Sequence, residues 1–323
     1  MITRVSAYAL ILLCAFAALS CSPHEDGSSM DLPGKIVYTG PPNEYFHYAR
    51  GVLHKDNLQE PHGESAPFDL SWVGKSDTLL GKVYVYDSTA IRKIGRQKLM
   101  LYDSNGKSLD HKLFETGPGE SIGSFYASPN GRLVIVEVTK GYTSRQWSYT
   151  SGALQILDLP TGKTLETIPF DSTLLMTVDE WPWSPDQTRF VYSARSWRHW
   201  MDANSKAGVY IYDLATGGQT EIDEKGWWAV WSPDGRFIAY IKHNDVWIYD
   251  VAEQSNKLFY KSHSFEDLSV IHWSPDSQYL RIHGWKYVTF GSWFETPFER
   301  MLHTADGQEA HFNALGGALY SWK

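Results

Sequence analysis

Cysteine is almost missing from this sequence, which has only Cys14 and Cys21 in 323 residues. Cys14 lies in an apolar N-terminal run that we expect to be removed, so an exported chain would keep Cys21 alone. A lone free thiol is unexpected outside the cytoplasm. The 12 histidines show no metal-ligand spacing, and neither H-E-x-x-H nor C-x-x-C occurs. The common zinc motifs are therefore excluded, and we expect no cofactor.

Basic charge and long apolar runs are also scarce. The 29 lysine and arginine residues face 37 acidic residues, and the formal net charge of −8 argues against a nucleic-acid partner, which would need a clustered basic surface. The apolar run from Val5 to Leu19 is too short for a membrane span of about 20 residues. No segment after Cys21 has the sustained 3.6-residue periodicity of a helix.

The first residues have the parts of an export signal. Arg4 supplies a basic start, the apolar run follows, and Ala17-Ala18-Leu19-Ser20-Cys21 resembles the cleavage site of a bacterial lipoprotein. The resemblance implies a signal peptide at 1–20 and lipidation of Cys21. The alternative is an ordinary cleaved signal with an accidental cysteine.

The residues after the cysteine fit a tether. Residues 21–33 are polar and rich in Ser, Pro, Asp and Gly. Ser22 follows the cysteine, which resembles the pattern of lipoproteins sorted to the outer membrane. We therefore expect a lipid-anchored protein at the bacterial outer membrane, facing the periplasm.

A repeat centred on Ser-Pro occupies the rest of the chain. Four segments align on it: "SFYASPNGRLVIVEV" (124–138), "EWPWSPDQTRFVYSA" (180–194), "WAVWSPDGRFIAYIK" (228–242) and "VIHWSPDSQYLRIHG" (270–284). A degenerate fifth copy has Trp72 at the tryptophan position. Each copy is followed by two further runs in which apolar and polar residues alternate as in strands. Units of four strands at this spacing predict the blades of a β-propeller.

The two ends of the chain supply one more unit. Residues 317–322 have the form of a first strand, and residues 34–40 have the form of a second strand with no first strand before it. We therefore predict an all-β propeller of four-stranded blades over 34–323, with six blades and one blade shared by both termini. The first strands of the other five blades are expected to end near Trp72, Ala127, Trp183, Trp231 and Trp273. We expect the propeller to be monomeric.

The W-S-P-D-G motif, complete at Trp231 to Gly235, resembles the repeat of the TolB-like β-propellers. The resemblance covers nearly all of the chain after Leu32. It implies the fold but leaves the function open, because propellers of this class include scaffolds and enzymes. We expect neither the α/β domain that precedes the TolB propeller nor the hydrolase domain of the prolyl oligopeptidase relatives.

Two short motifs resemble functional sites. The first, W-S-P-D-G, is repeated around the predicted ring and is therefore more simply explained as scaffold, with Pro, Asp and Gly forming a turn after the first strand. Gly119 to Gly123 fits G-x-S-x-G literally. A nucleophile elbow needs a strand before the serine and a helix after it, whereas this segment leads into a strand. We therefore expect no catalytic serine there.

The order of strands assigns the loops to two faces of the disc. The Ser-Pro turns lie on one face, here called the turn face. Connections between second and third strands, and between blades, lie on the other, here called the loop face. The long loops of the loop face contain aromatic and basic residues that loops normally lack. These are Trp147, Arg195, Trp197, Arg198, Trp200, Trp285 and Trp293.

The connections between blades are acidic. Five of the six expected connections contain carboxylates: Glu60 and Glu64, Glu115 and Glu120, Asp179 and Glu180, Asp223 and Glu224, Glu266 and Asp267. Together with the aromatic loops, they predict a binding surface around the mouth of the central channel. We take Glu120, Glu180, Glu224 and Asp267 as candidate members. The alternative is that the tryptophans pack over the blade tops and the acids are ordinary loop residues.

Two functions remain open at this point. The first is a non-catalytic scaffold of the cell envelope that binds a protein or glycan partner through the loop face, with tryptophans as anchors. The second is a carbohydrate-active envelope enzyme in which Asp69 and Glu180, at equivalent positions in two blades, act as acid and base. Clustered carboxylates would also suit Ca²⁺.

Overall fold

The structure is a computed structural model that describes residues 36–39, 44–49, 52–57, 68–74, 76–85, 96–103, 107–141, 151–171, 175–179, 181–195, 207–263, 266–287 and 295–310. Regular structure in these ranges consists of strands, with no helix, which confirms the all-β prediction. Accordingly, these ranges contain no helical segment with the length and hydropathy that a membrane crossing requires. The predicted signal, Cys21 and the tether lie outside the described residues.

The strands form six antiparallel sheets, numbered as blades 1 to 6 in chain order. Blade 1 contains β1 (Ile36–Thr39), β2 (Glu44–Ala49) and β3 (Val52–Asn57). Blade 2 contains β4 (Phe68–Trp72), β5 (Thr78–Val85), β6 (Arg96–Asp103) and β7 (Ser108–Glu115). Blade 3 contains β8 (Glu120–Ala127), β9 (Leu133–Lys140), β10 (Ser151–Asp158) and β11 (Lys163–Asp171). Blade 4 contains β12 (Leu175–Thr177), β13 (Arg189–Arg195), β14 (Ala207–Asp213) and β15 (Gln219–Asp223). Blade 5 contains β16 (Trp227–Trp231), β17 (Phe237–Lys242), β18 (Asp245–Asp250) and β19 (Ser255–Tyr260). Blade 6 contains β20 (Glu266–Trp273), β21 (Tyr279–Tyr287), β22 (Glu295–His303) and β23 (Glu309–Ala310).

Each of blades 2 to 6 is a four-stranded meander in which consecutive strands pair, as the sequence predicts. Blade 1 has three described strands. The strand expected at 317–322 lies outside the described residues, so the closure of the ring and the count of six blades stay predictions.

Neighbouring blades pack face to face through apolar side chains. One buried cluster joins Leu80 and Leu99 of blade 2 to Val134 of blade 3. Another joins Ile248 of blade 5 to Leu280 of blade 6. Burying each such side chain stabilises the fold by roughly 1.5–3 kcal/mol, and successive sheets stacked in this way form a β-propeller.

The Ser-Pro repeat closes each turn with its own side chains. In blade 5, Ser232 Oγ donates to Asp234 Oδ1 at 2.7 Å and accepts the Phe237 N–H at 3.0 Å. The same pair of bonds recurs in blade 3, where Asn130 replaces the aspartate. The motif therefore fixes the turn between the first and second strands, and its polar atoms are used locally.

Two of the tryptophans that precede a Ser-Pro serine connect neighbouring blades through their indole N–H. Trp183 Nε1 donates to the Tyr126 carbonyl of the preceding blade at 3.0 Å, and Trp273 Nε1 donates to the Val230 carbonyl at 3.2 Å. Both side chains are buried. The indole thus supplies apolar area and one hydrogen bond to the junction.

The junction between blades 4 and 5 departs from this pattern. The Trp231 N–H donates to the Trp181 carbonyl at 3.0 Å, and Trp231 Nε1 is buried without an acceptor. The Pro182 carbonyl, which corresponds to the Tyr126 and Val230 carbonyls of the other two junctions, accepts the Val191 N–H at 2.7 Å. Trp181 has φ of 57°, a strained value for a bulky residue. The inner strand of blade 4 also ends earlier than predicted, because β12 stops at Thr177 and Trp183 forms an isolated bridge with Phe190.

Candidate functional site

The strand order places the predicted long loops on the loop face. The described strands that flank them are β9 and β10, β13 and β14, and β21 and β22. Trp147, Trp197, Arg198, Trp200 and Trp293 lie outside the described residues. Arg195 is described through its backbone alone, as the last residue of β13. In blade 5 the same connection is only two residues long, because β17 ends at Lys242 and β18 begins at Asp245.

At the connections between blades, neighbouring carboxylates differ in burial. Asp179, Asp223 and Glu266 are buried. Glu224 and Asp267, the neighbours of the latter two, are exposed. Glu180 lies outside the described residues. Asp69 lies in β4, and only its backbone is described. The expected acidic rim therefore contains carboxylates with two different environments.

Asp223 holds the end of blade 4 against blade 5. Its Oδ2 accepts the Lys242 ammonium at 2.7 Å and the Tyr240 hydroxyl at 3.1 Å, and its Oδ1 accepts the Lys225 N–H at 2.8 Å. The Lys242 ammonium also lies over the Trp247 ring, 4.9 Å from its centroid. Burial, together with the charge of Asp223, raises the pKa of Tyr240, so this hydroxyl stays protonated and continues to donate. All of these bonds are internal to the propeller.

Glu266 does the same between blades 5 and 6. Its carboxylate has no exposed surface and is ion-paired with Arg300. The other oxygen accepts the His263 N–H at 2.9 Å and the Tyr260 hydroxyl at 3.2 Å. The ion pair joins the first and third strands of blade 6, and the bonds from Tyr260 and His263 attach the same buried carboxylate to the end of blade 5.

The remaining described acids of the connections are also bonded. Glu115 is ion-paired with Arg96 at 3.3 Å and with Lys112 at 2.9 Å. Asp179 Oδ2 accepts the Ala229 N–H of blade 5 at 3.1 Å and the Ser193 hydroxyl at 3.2 Å. Glu120 accepts the Gly117 N–H at 2.8 Å, and Lys140 lies 3.9 Å from its other oxygen. These carboxylates thus stabilise the connections, which the sequence alone does not indicate.

Large aromatic side chains are exposed at the loop-face ends of two second strands. Trp285 is 39% exposed, and its ring meets that of His283 edge-on at 6.0 Å. Tyr84 is 40% exposed and lies at the equivalent position of β5. Sequence reasoning included Trp285 but missed Tyr84. The sequence could have indicated Tyr84 through its position in the strand. Tyr84 lies as many residues after Thr78, the first residue of β5, as Trp285 lies after Tyr279, the first residue of β21.

Two open grooves lie on the turn face. One of about 420 Å³ is bounded by Arg132, Asp158 and Asp186, and a second of about 380 Å³ by Arg236 and Asp250. Both are open spaces between turns. In the described ranges, no three metal-ligating side chains converge.

The G-x-S-x-G segment is part of a strand. Glu120 begins β8, which runs to Ala127, and the Ser121 carbonyl accepts the Thr139 hydroxyl at 3.4 Å across to β9. A serine within a paired strand lacks the sharp turn that exposes a catalytic nucleophile.

Comparisons with known proteins agree with this architecture. A family model described as the dipeptidyl peptidase IV (DPP IV) N-terminal region matches residues 184–283. Dipeptidyl aminopeptidase B of Saccharomyces cerevisiae is 29% identical over 125 residues, which are 32% of this chain and 15% of the yeast protein. The matches thus cover part of this chain and a small part of the curated relative.

Solved structures match over most of the chain. TolB from Acinetobacter baumannii superposes with a TM-score of 0.54 at 16% identity, over 91% of this chain and 65% of TolB. A puromycin-hydrolyzing peptidase of Mycobacterium tuberculosis superposes with a TM-score of 0.61 at 10% identity, over 86% of this chain and 43% of the peptidase. Likeness at these identities concerns the fold alone. The chain therefore has a TolB-like β-propeller fold.

Proposed function

We propose that this chain is a non-catalytic binding protein of the cell envelope that engages a protein or glycan partner through its loop face. One observation supports this most directly. The buried carboxylates of the loop face are used in internal bonds, whereas Trp285 and Tyr84 expose large aromatic surfaces there. Exposed aromatic residues are the side chains that most often anchor a partner.

The envelope location rests on the sequence of the first 33 residues. An N-terminal signal followed by Cys21 would place the propeller on a lipid anchor, at the periplasmic side of the outer membrane. Growth with a radiolabelled fatty acid tests this: label should enter the wild-type protein and be absent from Cys21→Ala. Label in both proteins, or in neither, would contradict lipidation at this residue.

Site-specific photo-cross-linking tests the binding function. A benzophenone amino acid at position 285 should capture a partner in intact envelopes. The same amino acid at position 258, an exposed leucine of the outer strand β19, serves as the control. An adduct from position 285 and not from position 258 supports the proposal. Loss of this adduct when Trp197, Trp200 and Trp293 are changed together to Ala would assign those side chains to the partner-binding surface. No adduct, or equal adducts from both positions, would reject it.

The alternative is a carbohydrate-active enzyme that uses Asp69 and Glu180. Its basis is the equivalent placement of these two residues, and propellers of this class include enzymes. Asp69→Asn and Glu180→Gln should each abolish any glycan cleavage by the purified protein. Cleavage that survives both changes would rule out these carboxylates as acid and base.

Ca²⁺ binding at the acidic connections stays a further expectation. The exposed acids Glu224 and Asp267 are the described candidates. Titration calorimetry with CaCl₂ measures it directly, and a titration with neither heat nor a shift in melting temperature would dispose of it.

A further inference from the structure

The loop face of blade 5 carries exposed basic side chains. Lys225, His243, Lys261 and His263 are all exposed at this face. In the described part of the chain, neither Lys225 nor Lys261 forms an ion pair. The basic residues thus contrast with the net negative charge of the whole protein.

The order of strands arranges these residues across the blade. Lys225 precedes β16, the innermost strand; His243 lies between β17 and β18; Lys261 follows β19, the outermost strand. Because neighbouring strands are about 4.8 Å apart, the row extends over roughly 14 Å. An extended peptide of about four or five residues has this length. The row therefore runs from the channel to the rim.

The connection above this row is short. Blade 5 joins its second and third strands through His243 and Asn244, whereas blade 4 uses residues 196–206 and blade 6 uses residues 288–294. Asn244 is fixed to blade 6, because its side-chain oxygen accepts the Leu268 N–H at 2.7 Å. Blade 5 therefore presents its strand ends directly at the loop face.

The acids nearby leave these cations without a buried partner. Asp223 is already paired with Lys242, and Glu266 is already paired with Arg300. The exposed acids of the same region are Glu224 and Asp267. Asp245, at the start of β18, is partly exposed and accepts the Ser262 N–H at 2.8 Å, so it too is bonded within the blade. Lys225 and Lys261 therefore keep their charges exposed beside those of Glu224 and Asp267.

We propose that this row binds an extended, carboxylate-rich peptide segment of the protein partner, which crosses blade 5 toward the channel. The inference rests on the proposed function and names the chemistry of its partner. Lysines on flexible stems suit carboxylates spread along a chain, whereas clustered phosphates are usually held by the planar fork of arginine. Trp285, on the adjoining blade, would supply an apolar contact beside the charges.

Fluorescence anisotropy with a labelled peptide of alternating Glu and Leu, at low and moderate salt, tests the inference on the mature chain. The double variant Lys225→Gln/Lys261→Gln should bind about fivefold more weakly and with a smaller salt dependence. The matched control is Lys107→Gln/Lys163→Gln, which removes the same charge from exposed positions at the turn face. It should bind as the wild type does.

Equal binding by the two double variants would overturn the inference, as would tighter binding of a peptide with Lys in place of Glu. Binding of a carboxylated oligosaccharide in preference to the peptide would also overturn it. In each of these cases, an adduct from position 285 would still support the proposed function. The two proposals can therefore fail separately.

Discussion

Neighbouring carboxylates have opposite surroundings where blade 5 leads into blade 6. Glu266 is buried and bonded to Arg300, Tyr260 and the His263 N–H, while Asp267 is exposed. The two differ because successive residues of a strand point to opposite sides. The acidic connections therefore contribute to stability through one residue of the pair and to the surface through the other.

Substitution of these two acids should separate the two roles. Glu266→Gln removes the buried carboxylate charge that pairs with the Arg300 guanidinium and should lower the free energy of unfolding by about 3 kcal/mol. Asp267→Asn, one residue further on, should lower it by no more than about 1 kcal/mol, because interactions of an exposed carboxylate contribute little. Urea denaturation of both variants measures this. Equal losses would show that the Glu266 ion pair has no special part in stabilising the fold.

The aspartates of the Ser-Pro turns should make stability depend on pH. Burial works to raise the pKa of Asp186, but hydrogen bonds from Ser184 and Thr188 outweigh it and hold the pKa below its usual value. Burial likewise opposes the bond from Ser274 at Asp276, with the same net direction. A carboxyl whose folded pKa is lowered stabilises the fold above its unfolded pKa, and this contribution is lost as pH falls through the folded value.

Asn130 shows that asparagine can form the same turn. The double variant Asp186→Asn/Asp276→Asn should therefore fold normally and lose less stability than the wild type between pH 6 and pH 3. Urea unfolding at the two pH values gives the comparison. If the free energy of unfolding falls as much between pH 6 and pH 3 in the double variant as in the wild type, these turns are not the source of the pH dependence.

At the scale of the element, the junctions between blades are not equivalent. Trp183 donates its indole N–H to the preceding blade, whereas the indole N–H of Trp231 is buried without an acceptor. A buried donor without an acceptor costs stability. The same residue type in the same motif therefore has different energetics in two blades.

Replacing each tryptophan with phenylalanine should reveal this difference. Trp183→Phe loses the hydrogen bond to the Tyr126 carbonyl, whereas Trp231→Phe removes an unsatisfied group. We expect Trp183→Phe to cost about 1–2 kcal/mol more than Trp231→Phe. Chemical denaturation with both proteins measures the difference. Equal costs would mean that the loss of ring volume, common to both, dominates.

At the scale of the whole molecule, the repeat predicts the strands and turns but leaves open which side chain faces inward. Trp231 to Gly235 identify a first strand and its turn from sequence. The roles of Glu266 and Asp267 do not follow in the same way, because register shifts interrupt the inner strands, as between Leu268 and Val270. A shift of one residue reverses the side to which a side chain points, and its position depends on packing between blades.

The predicted closure of the ring gives the last test. If residues 317–322 complete blade 1 as its first strand, their removal exposes the edge of β1 and apolar surface of the adjoining blades. A chain ending at Gly316 should then melt more than about 10 °C below the parent protein, since each kcal/mol lost from a domain of this size lowers the melting temperature by a few degrees. Removing residues 21–33, the predicted tether, is the control and should leave the melting temperature unchanged. Calorimetric scans that give the same melting temperature for all three proteins would contradict closure by the C-terminal strand.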